Sequence, residues 1–432
     1  MAEIAAVAYV ASEVVEHTAE AGYAAYIVSK PTLPLKATFT RIATASDDHT
    51  RRSLARSNHT ITTIKNKAYI FGGKTATNTL ASNDVHAITV QHSGQPEMDY
   101  GLIPALPTLE DGRVPVGRTN HAACAFHGNI AVYGGCDEKD QLIDEESAIW
   151  LFSPERKAWD LLTPSSTEST PGPRQSAQLF AQETHVILFG GIDPSGSTAS
   201  DLWQFDIASR IWSQLPTAPV ATSNAALFNG QLWLISGSDP MSSQLHHLDI
   251  SSPSEEMSWE SFTFPTNPMA PGPRARHDGA LLPVHTGYGR NYLIYLLGAR
   301  EDSAESTHSY TSEDLKHSTE ATQWSDTWVL QLPSSNLEAK AALSLKEAIK
   351  PAKIKDAIRS ALGAETGHLS WAEAVVQVPS DKELEDAEGK LHPGPRAFFG
   401  ADVMEDGKSL VFWGGVDARG ERVGDGWIIR LE

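Results

Sequence analysis

Cysteine is nearly absent from this 432-residue sequence: Cys124 and Cys136 are the only two. Their number excludes a disulfide framework, and a lone pair is compatible with a reducing compartment. Basic residues are also few, 34 against 54 acidic ones, giving a net charge of −20. That field repels a polyanion, and no lysine- or arginine-rich run makes a local exception, so nucleic acid is excluded as a partner. No apolar run approaches the roughly 20 residues of a membrane span, so no membrane role is expected. The Ala- and Val-rich opening has no basic n-region and is interrupted by Glu3, Glu13 and Glu16, unlike a signal peptide. The near-helical spacing of Ile4, Val7, Val14, Val15, Tyr23, Tyr26 and Ile27 instead predicts an amphipathic helix over 2–28, ended by Ser29-Lys30-Pro31. The expected location is the cytoplasm. No phosphate-binding glycine loop, dinucleotide fingerprint or nucleophile elbow occurs, and no cofactor is expected.

What is present is a repeat. Apolar strands ending in a small-residue doublet recur as AYIFGG (Ala68–Gly73), IAVYGG (Ile130–Gly135), VILFGG (Val186–Gly191), LWLISG (Leu232–Gly237), LIYLLGA (Leu293–Ala299) and LVFWGG (Leu410–Gly415). The doublets begin at 72, 134, 190, 236, 298 and 414. The first four intervals are near a 50-residue period; the last is about twice as long and contains no second doublet. Six units fit better than seven. Within a unit, a strand opens after Pro-Arg or a lone Arg, and a hairpin turn such as His127-Gly128-Asn129, Asn229-Gly230 or Asp406-Gly407 leads into the doublet strand. An Asp-to-aromatic strand such as Asp201–Asp206 follows, and a last strand carries Trp159, Trp212, Trp259 or Trp371.

Doublet, tryptophan and arginine recurring in register resemble the Kelch family over nearly all of residues 37–432. The resemblance implies an all-β, six-bladed Kelch-type β-propeller. The last unit has only three strands, Arg396–Met404, Ser409–Trp413 and Gly426–Leu431, while Ala37–Ile42 (ATFTRI) has no partner in the first. An open ring would expose two sheet edges, so the N-terminal strand is expected to complete blade six and close the propeller. Residues 1–36 then form the helix and linker, and 37–432 the propeller. Leu337, Ala341, Leu345, Ala348 and Ile349, then Ile354, Ile358 and Leu362 beyond Pro351, predict a helical insert over about 334–363, between strands three and four of blade five.

In an antiparallel blade the start of strand one and the end of strand two share a rim. The strand-starting residues are read as Arg56, Arg118, Arg174, Ala221, Arg274 and Arg396, and the residues past the doublets as Thr75, Asp137, Asp193, Asp239, Glu301 and Asp417. Two residues on from the first set stand Asn58, Asn120, Ser176, Ser223, Arg276 and Phe398; three residues on stand His59, His121, Ala177, Asn224, His277 and Phe399. Arg-x-x-His and the post-doublet Asp belong to the ordinary Kelch repeat, where they serve as turn caps and inter-blade ion pairs. Arg276, Phe398, Phe399 and the Asn224–Ala221 pair depart from it. These positions make Arg276, His277, His59 and His121 catalytic candidates. Arg56, Asn58, Arg118, Asn120, Arg174, Asn224, Arg274, Arg396, Phe398 and Phe399 are candidates for binding an anionic or polar-aromatic small molecule at the channel mouth. The polar loop Arg300–Gln323, with His308, Tyr310 and His317, is expected to act as a lid.

Glu301, Asp302, Glu305 and His308 do not reproduce the iron-ligand pattern of the Kelch-type nitrile-specifier proteins, and neither cysteine suits the copper site of the galactose oxidase fold, so no metal is expected. Two functions remain. The sequence is similar to stand-alone fungal Kelch proteins, some from secondary-metabolite pathways. That similarity implies a cofactor-independent cyclase, isomerase or Diels–Alder-type pericyclic catalyst, working by positioning and polarisation. The alternative is a protein-interaction scaffold, the commonest role of the Kelch propeller.

Overall fold

The computed structural model describes residues 33–42, 52–90, 99–110, 112–251, 257–264, 272–287, 290–300, 323–332, 369, 371–378 and 391–432. The expected helix over 2–28, the insert over 334–363 and nearly all of the loop Arg300–Gln323 lie outside them.

The doublet strands are apolar at consecutive positions, as a strand covered on both faces requires. In Lys67–Phe71, for example, every residue but the lysine is buried. Each doublet strand is the second of an antiparallel four-stranded blade; five of these are separate four-stranded sheets and the sixth is part of a five-stranded one. Side-chain alternation sends Ile70 and Ile88 toward blade six, among Val411, Trp413 and Ile428, and Tyr69 and Phe71 toward blade two, among Val132, Trp150 and Trp159. The same division recurs at every seam. The six apolar clusters of the described residues each join two adjacent blades, including blade six to blade one. The chain is thus a closed six-bladed propeller.

Closure occurs as the strand count requires. Lys36–Ile42 pairs antiparallel with Gly426–Leu431, from Ala37 opposite Leu431 to Ile42 opposite Gly426. Phe39 and Ala37 are fully buried in the seam between blades five and six. A fifth strand, Val375–Gln377, adds in parallel outside Lys36–Thr38, and the Val375 amide donates to the Leu35 carbonyl at 2.9 Å.

Blade five shifts the expected register. Arg276, not Arg274, pairs across the mouth in the way Arg56 and Arg396 do, and its partner is Arg300 rather than Glu301. The doublet there is Leu297-Gly298, one residue earlier than Gly298-Ala299. Leu297 takes the left-handed conformation (φ +49°) that Gly72, Gly134, Gly190 and Gly414 take elsewhere. At the second doublet position a Cβ is impossible: on Gly135 (φ +99°) it would lie 2.7 Å from the Thr119 carbonyl, and on Gly298 (φ +101°) 2.9 Å from that of His277.

Deleting residues 1–42 should therefore abolish the single cooperative melting transition or cause aggregation. Phe39→Ala in the full chain should cost about 3–5 kcal/mol in urea denaturation. A truncated protein as stable as the parent would refute closure by this strand.

Candidate functional site

Five arginines build the rim, each in the same way. The Nη1 of Arg56, Arg118, Arg174, Arg276 and Arg396 donates to the first doublet carbonyl of its own blade, at Gly72, Gly134, Gly190, Leu297 and Gly414, over 2.9–3.2 Å. Four guanidinium groups are also held by both oxygens of a carboxylate at the start of the third strand: Glu145, Asp201, Asp326 and Asp425. A tryptophan indole N–H braces each of these acids, from Trp150, Trp203, Trp328 and Trp427. The arginine's own carbonyl accepts the second doublet amide of the preceding blade, as in Gly73 to Arg118, Gly135 to Arg174, Gly298 to Arg396 and Gly415 to Arg56. All five side chains are buried. Arg276, expected to stand free of the repeat, fills its structural position, and none of the five guanidinium groups is presented to the mouth.

Blade one is built differently. Arg56 Nη2 lies 2.8 Å from His86 Nε2, and His86 Nδ1 lies 2.9 Å from the Tyr100 hydroxyl, where other blades have carboxylate and indole. Burial lowers the Arg56 guanidinium to about 10, and burial together with Arg56 lowers His86 to about 3. Blade four carries no arginine; Asn224 Nδ2, buried, donates to the Arg276 carbonyl at 3.1 Å and ties the seam instead.

Two residues past each arginine the chain turns left-handed, at Asn58, Asn120, Ser176, Asp278 and Phe398. Their backbones link in a row: Phe398 donates to Asp278, Asn58 to Phe398, Asn120 to Asn58 and Ser176 to Asn120. Asn58 Nδ2 also donates to Asn120 Oδ1 (2.7 Å), and Asn120 Nδ2 to Gln175 Oε1 (3.0 Å). His277 Nδ1 and Asp278 Oδ2 are 2.5 Å apart at the mouth, both about one-third exposed, with the Phe398 ring 6.4 Å from the imidazole. Arg274 is exposed, its Nη1 3.8 Å from Met241 Sδ.

Inside this mouth runs a channel of about 460 Å³ lined by the first strands of all six blades. Its wall is mostly small: Ala123, Ala125, Ala177, Ala181, Gly279 and Gly400 leave the bore open. His59, His121 and Phe399 stand at its upper end. Burial, then Arg56 and His86, holds His59 down to about 3; the Trp413 carbonyl beside the ring pulls the other way without reaching hydrogen-bond geometry. Burial, then Arg118 and His59, keeps His121 well below the ordinary histidine range. Both imidazoles are neutral at physiological pH.

Asp402, not singled out in the sequence, also lines the channel. Burial pushes its carboxyl up to about 6, although Thr63 N (2.7 Å), Thr63 Oγ1 (2.9 Å) and Val403 N (2.8 Å) all donate to it. Burial and then Asp402 push the Cys124 thiol upward. The available signal was positional: Asp402 stands six residues after Arg396, where the other first strands carry Thr62, Cys124 and Phe180. Among the described residues no three His, Cys, Asp or Glu side chains are placed to hold a metal ion, and no helix is long and apolar enough to cross a membrane.

A closed ring of six doublet blades, five of them with a buried rim arginine, defines a Kelch-type propeller. Residues 58–288 match the KLHDC2/KLHL20/DRC7 Kelch-repeats domain, and the chain belongs to that family. It is 28% identical over 142 residues to the Rho GTPase-activating protein gacHH of Dictyostelium discoideum, covering 32% of this chain and 8% of that one. It is 24% identical over 193 residues to the N-(sulfonatooxy)prop-2-enimidothioate sulfolyase of Thlaspi arvense, 42% of this chain and 51% of that one. Kelch domain-containing protein 3 of Homo sapiens is 24% identical over 139 residues, 32% and 34% of the two chains. The alignments thus span about half or less of these relatives. The solved structure of YjhT superposes with a TM-score of 0.55 at 13% identity, over 90% of this chain and 99% of that one, and shares the fold.

Arg276→Ala should leave the part-buried Asp326 without its cation and cost about 3 kcal/mol, whereas Arg274→Ala should stay within about 0.5 kcal/mol; urea denaturation separates them.

Acid should destabilise the protein through its histidines. The unfolded chain takes up protons below about 6.5, while His59 and His86 in the fold resist them until about 3. Their contribution is therefore complete above pH 6.5 and lost as pH falls toward 3, by at most about 1.4 kcal/mol per pH unit for each group. Asp402, raised in the fold, acts in the opposite sense between pH 3.8 and 6. His86→Gln keeps an acceptor for Arg56 and a donor for Tyr100. Subtracting its stability–pH curve from the parent's should cancel Asp402 and isolate a slope of about one proton below pH 6.5.

Proposed function

We propose that the propeller is a cofactor-independent small-molecule enzyme of the cyclase or isomerase type, Diels–Alder-type chemistry included, with the channel as its site. The supporting observation is the channel itself: a bore lined by all six blades, with two neutral imidazoles and a carboxyl held near pH 6 among its lining residues. Neutral histidine and a partly protonated carboxyl are the groups that move or hold a proton near neutrality without a metal. At the mouth, His277 with Asp278 supplies a second oriented imidazole, and Phe398 a packing face. Phe398 holds φ +59° where other blades use Asn, Ser or Asp; a bulky residue there costs about 1–3 kcal/mol, and such strain gathers at functional positions. Because the rim arginines serve the blades, an uncharged substrate fits better than an anionic one. The two free thiols suit the cytoplasm, and a secondary-metabolite pathway remains the setting suggested by the resemblance to stand-alone fungal Kelch proteins. The Thlaspi relative is named as an enzyme; the Dictyostelium and human relatives support the scaffold reading, which the same experiment addresses.

Ala125→Phe and Ala181→Phe, at exposed positions lining the channel, fill the bore without entering the core. Both should keep the parent melting temperature and abolish retention and conversion of metabolites from a cell extract, read by mass spectrometry after dialysis. Unchanged retention and conversion in both variants would discard the channel. Phe398→Asn should raise stability by about 1 kcal/mol while weakening the same retention; a stability gain with retention intact would make Phe398 a passive tolerance.

A further inference from the structure

Where blade six meets blade one, four short polar contacts gather around one carboxyl group. The first strand of a blade has one edge bonded to its own second strand and the other turned to the neighbouring blade. In blade six the Met404 amide donates to the Ser409 carbonyl at 2.8 Å. Antiparallel alternation then bonds Asp402 to Val411 and leaves the N–H and carbonyl of Val403 facing outward. Asp402 closes over that edge. Its Oδ1 accepts from Val403 N at 2.8 Å, and its Oδ2 accepts from Thr63 N of blade one at 2.7 Å. Thr63 Oγ1 lies 2.9 Å from the same Oδ2 and 2.6 Å from the Val403 carbonyl oxygen. A hydroxyl has one hydrogen to donate. Beside an ionised carboxylate, one of those last two contacts would therefore bring together oxygens with no hydrogen between them.

We propose that Asp402 supplies the further hydrogen: its neutral carboxyl donates from Oδ2 to Thr63 Oγ1, and Thr63 donates to the Val403 carbonyl, making the pair a proton-operated clasp between the last blade and the first. On ionisation the proton passes to the bore, which Asp402 lines. The hydroxyl then turns to the carboxylate, and the Val403 carbonyl loses the Thr63 hydrogen. The clasp is independent of what the channel binds. The strands packed on Gly400–Val403 leave the acid free to change state. Thr60–Ile64 and Ser409–Trp413 carry no ionisable group, and Ala280–Gly287 of blade five carries only His285, which is exposed. Beyond Thr60–Ile64, Ala122–Phe126 carries only Cys124, whose thiol is pushed upward by burial. Lys65, Glu405, Asp406 and Lys408 stand exposed in the adjoining turns. Burial holds the Asp402 carboxyl at about 6, so the clasp is complete below that pH and one hydrogen short above it.

The test uses the full chain carrying ¹³C in its aspartate carboxyls and valine carbonyls, titrated by infrared and NMR spectroscopy. The band belonging to Asp402 is the one that Asp402→Asn removes. Its protonated C=O stretch should grow in as pH falls through about 6. Thr63→Val removes the acceptor and keeps the branched shape, so it should move that stretch to higher frequency, and Thr63→Ser should return it to the parent position. The Val403 carbonyl resonance should shift with the same midpoint in the parent and lose most of that response in Thr63→Val. Absence of a protonated Asp402 band between about pH 4 and 6 would overturn the clasp, as would a band that Thr63→Val leaves in place. A Val403 response of equal size in the parent and in Thr63→Val would show that the hydroxyl does not switch, and the proposal would fall.

Discussion

The propeller depends on what an arginine does in two directions in most of its blades. In blades two, three, five and six its side chain joins the doublet carbonyl to a carboxylate of its own blade, and in blade one His86 takes the acid's place. In blades one, two, three and six its backbone carbonyl receives the doublet amide of the blade before. A charge buried this completely is tolerable only with matched partners, and the repeat provides them in fixed positions: a carbonyl freed by the left-handed doublet, and an acid braced by an indole N–H. The doublet is thus required by more than its turn. Its first residue turns a carbonyl toward the guanidinium, and its second, with no room for a Cβ, brings an amide against the next blade. Leu297 shows that the first role tolerates a side chain, whereas Gly298 keeps the second.

Seen this way, the mouth and the channel carry different obligations. The five buried rim arginines are committed to holding the blades together, and what the mouth presents includes one His–Asp pair and one strained phenylalanine. The channel inherits its character from whatever the first strands carry once the seams are satisfied, with alanine the commonest lining residue. Exceptions there are conspicuous. His59, Asp402 and Cys124 all line the bore, where each shifts the protonation of a neighbour or is itself shifted.

The propeller was legible in the sequence because the doublets, tryptophans and arginines recur in register, and the unpaired strand Ala37–Ile42 forced closure. Blade five misled because Arg274 and Arg276 both follow Pro273 closely and Leu297 hides the first doublet position. Asp326-Thr327-Trp328 repeats Asp201-Leu202-Trp203 and Asp425-Gly426-Trp427 at the third strand, but the repeat does not say which arginine the acid pairs with. The ion pairs within a blade span 27 residues from Arg118 to Glu145 and from Arg174 to Asp201, 29 from Arg396 to Asp425 and 50 from Arg276 to Asp326, so no fixed spacing announced them or the burial of the arginines. Asp402 was invisible because nothing in its local sequence separates a channel-facing acid from a solvated one; only the ring places it.

Closure by the strand Lys36–Ile42 also orders events in time. Thr40 and its partner Arg430 are 390 residues apart, so at about 5–20 residues per second a ribosome takes roughly 20–80 s to deliver the second after the first. Throughout that interval the nascent chain holds a β-branched, aromatic-bearing strand with no sheet to join, while five blades assemble around a seam still open between the fifth and the first. Whatever shields that strand during synthesis, chaperone or ribosome surface, bears on the yield of folded protein as directly as any contact in the finished ring.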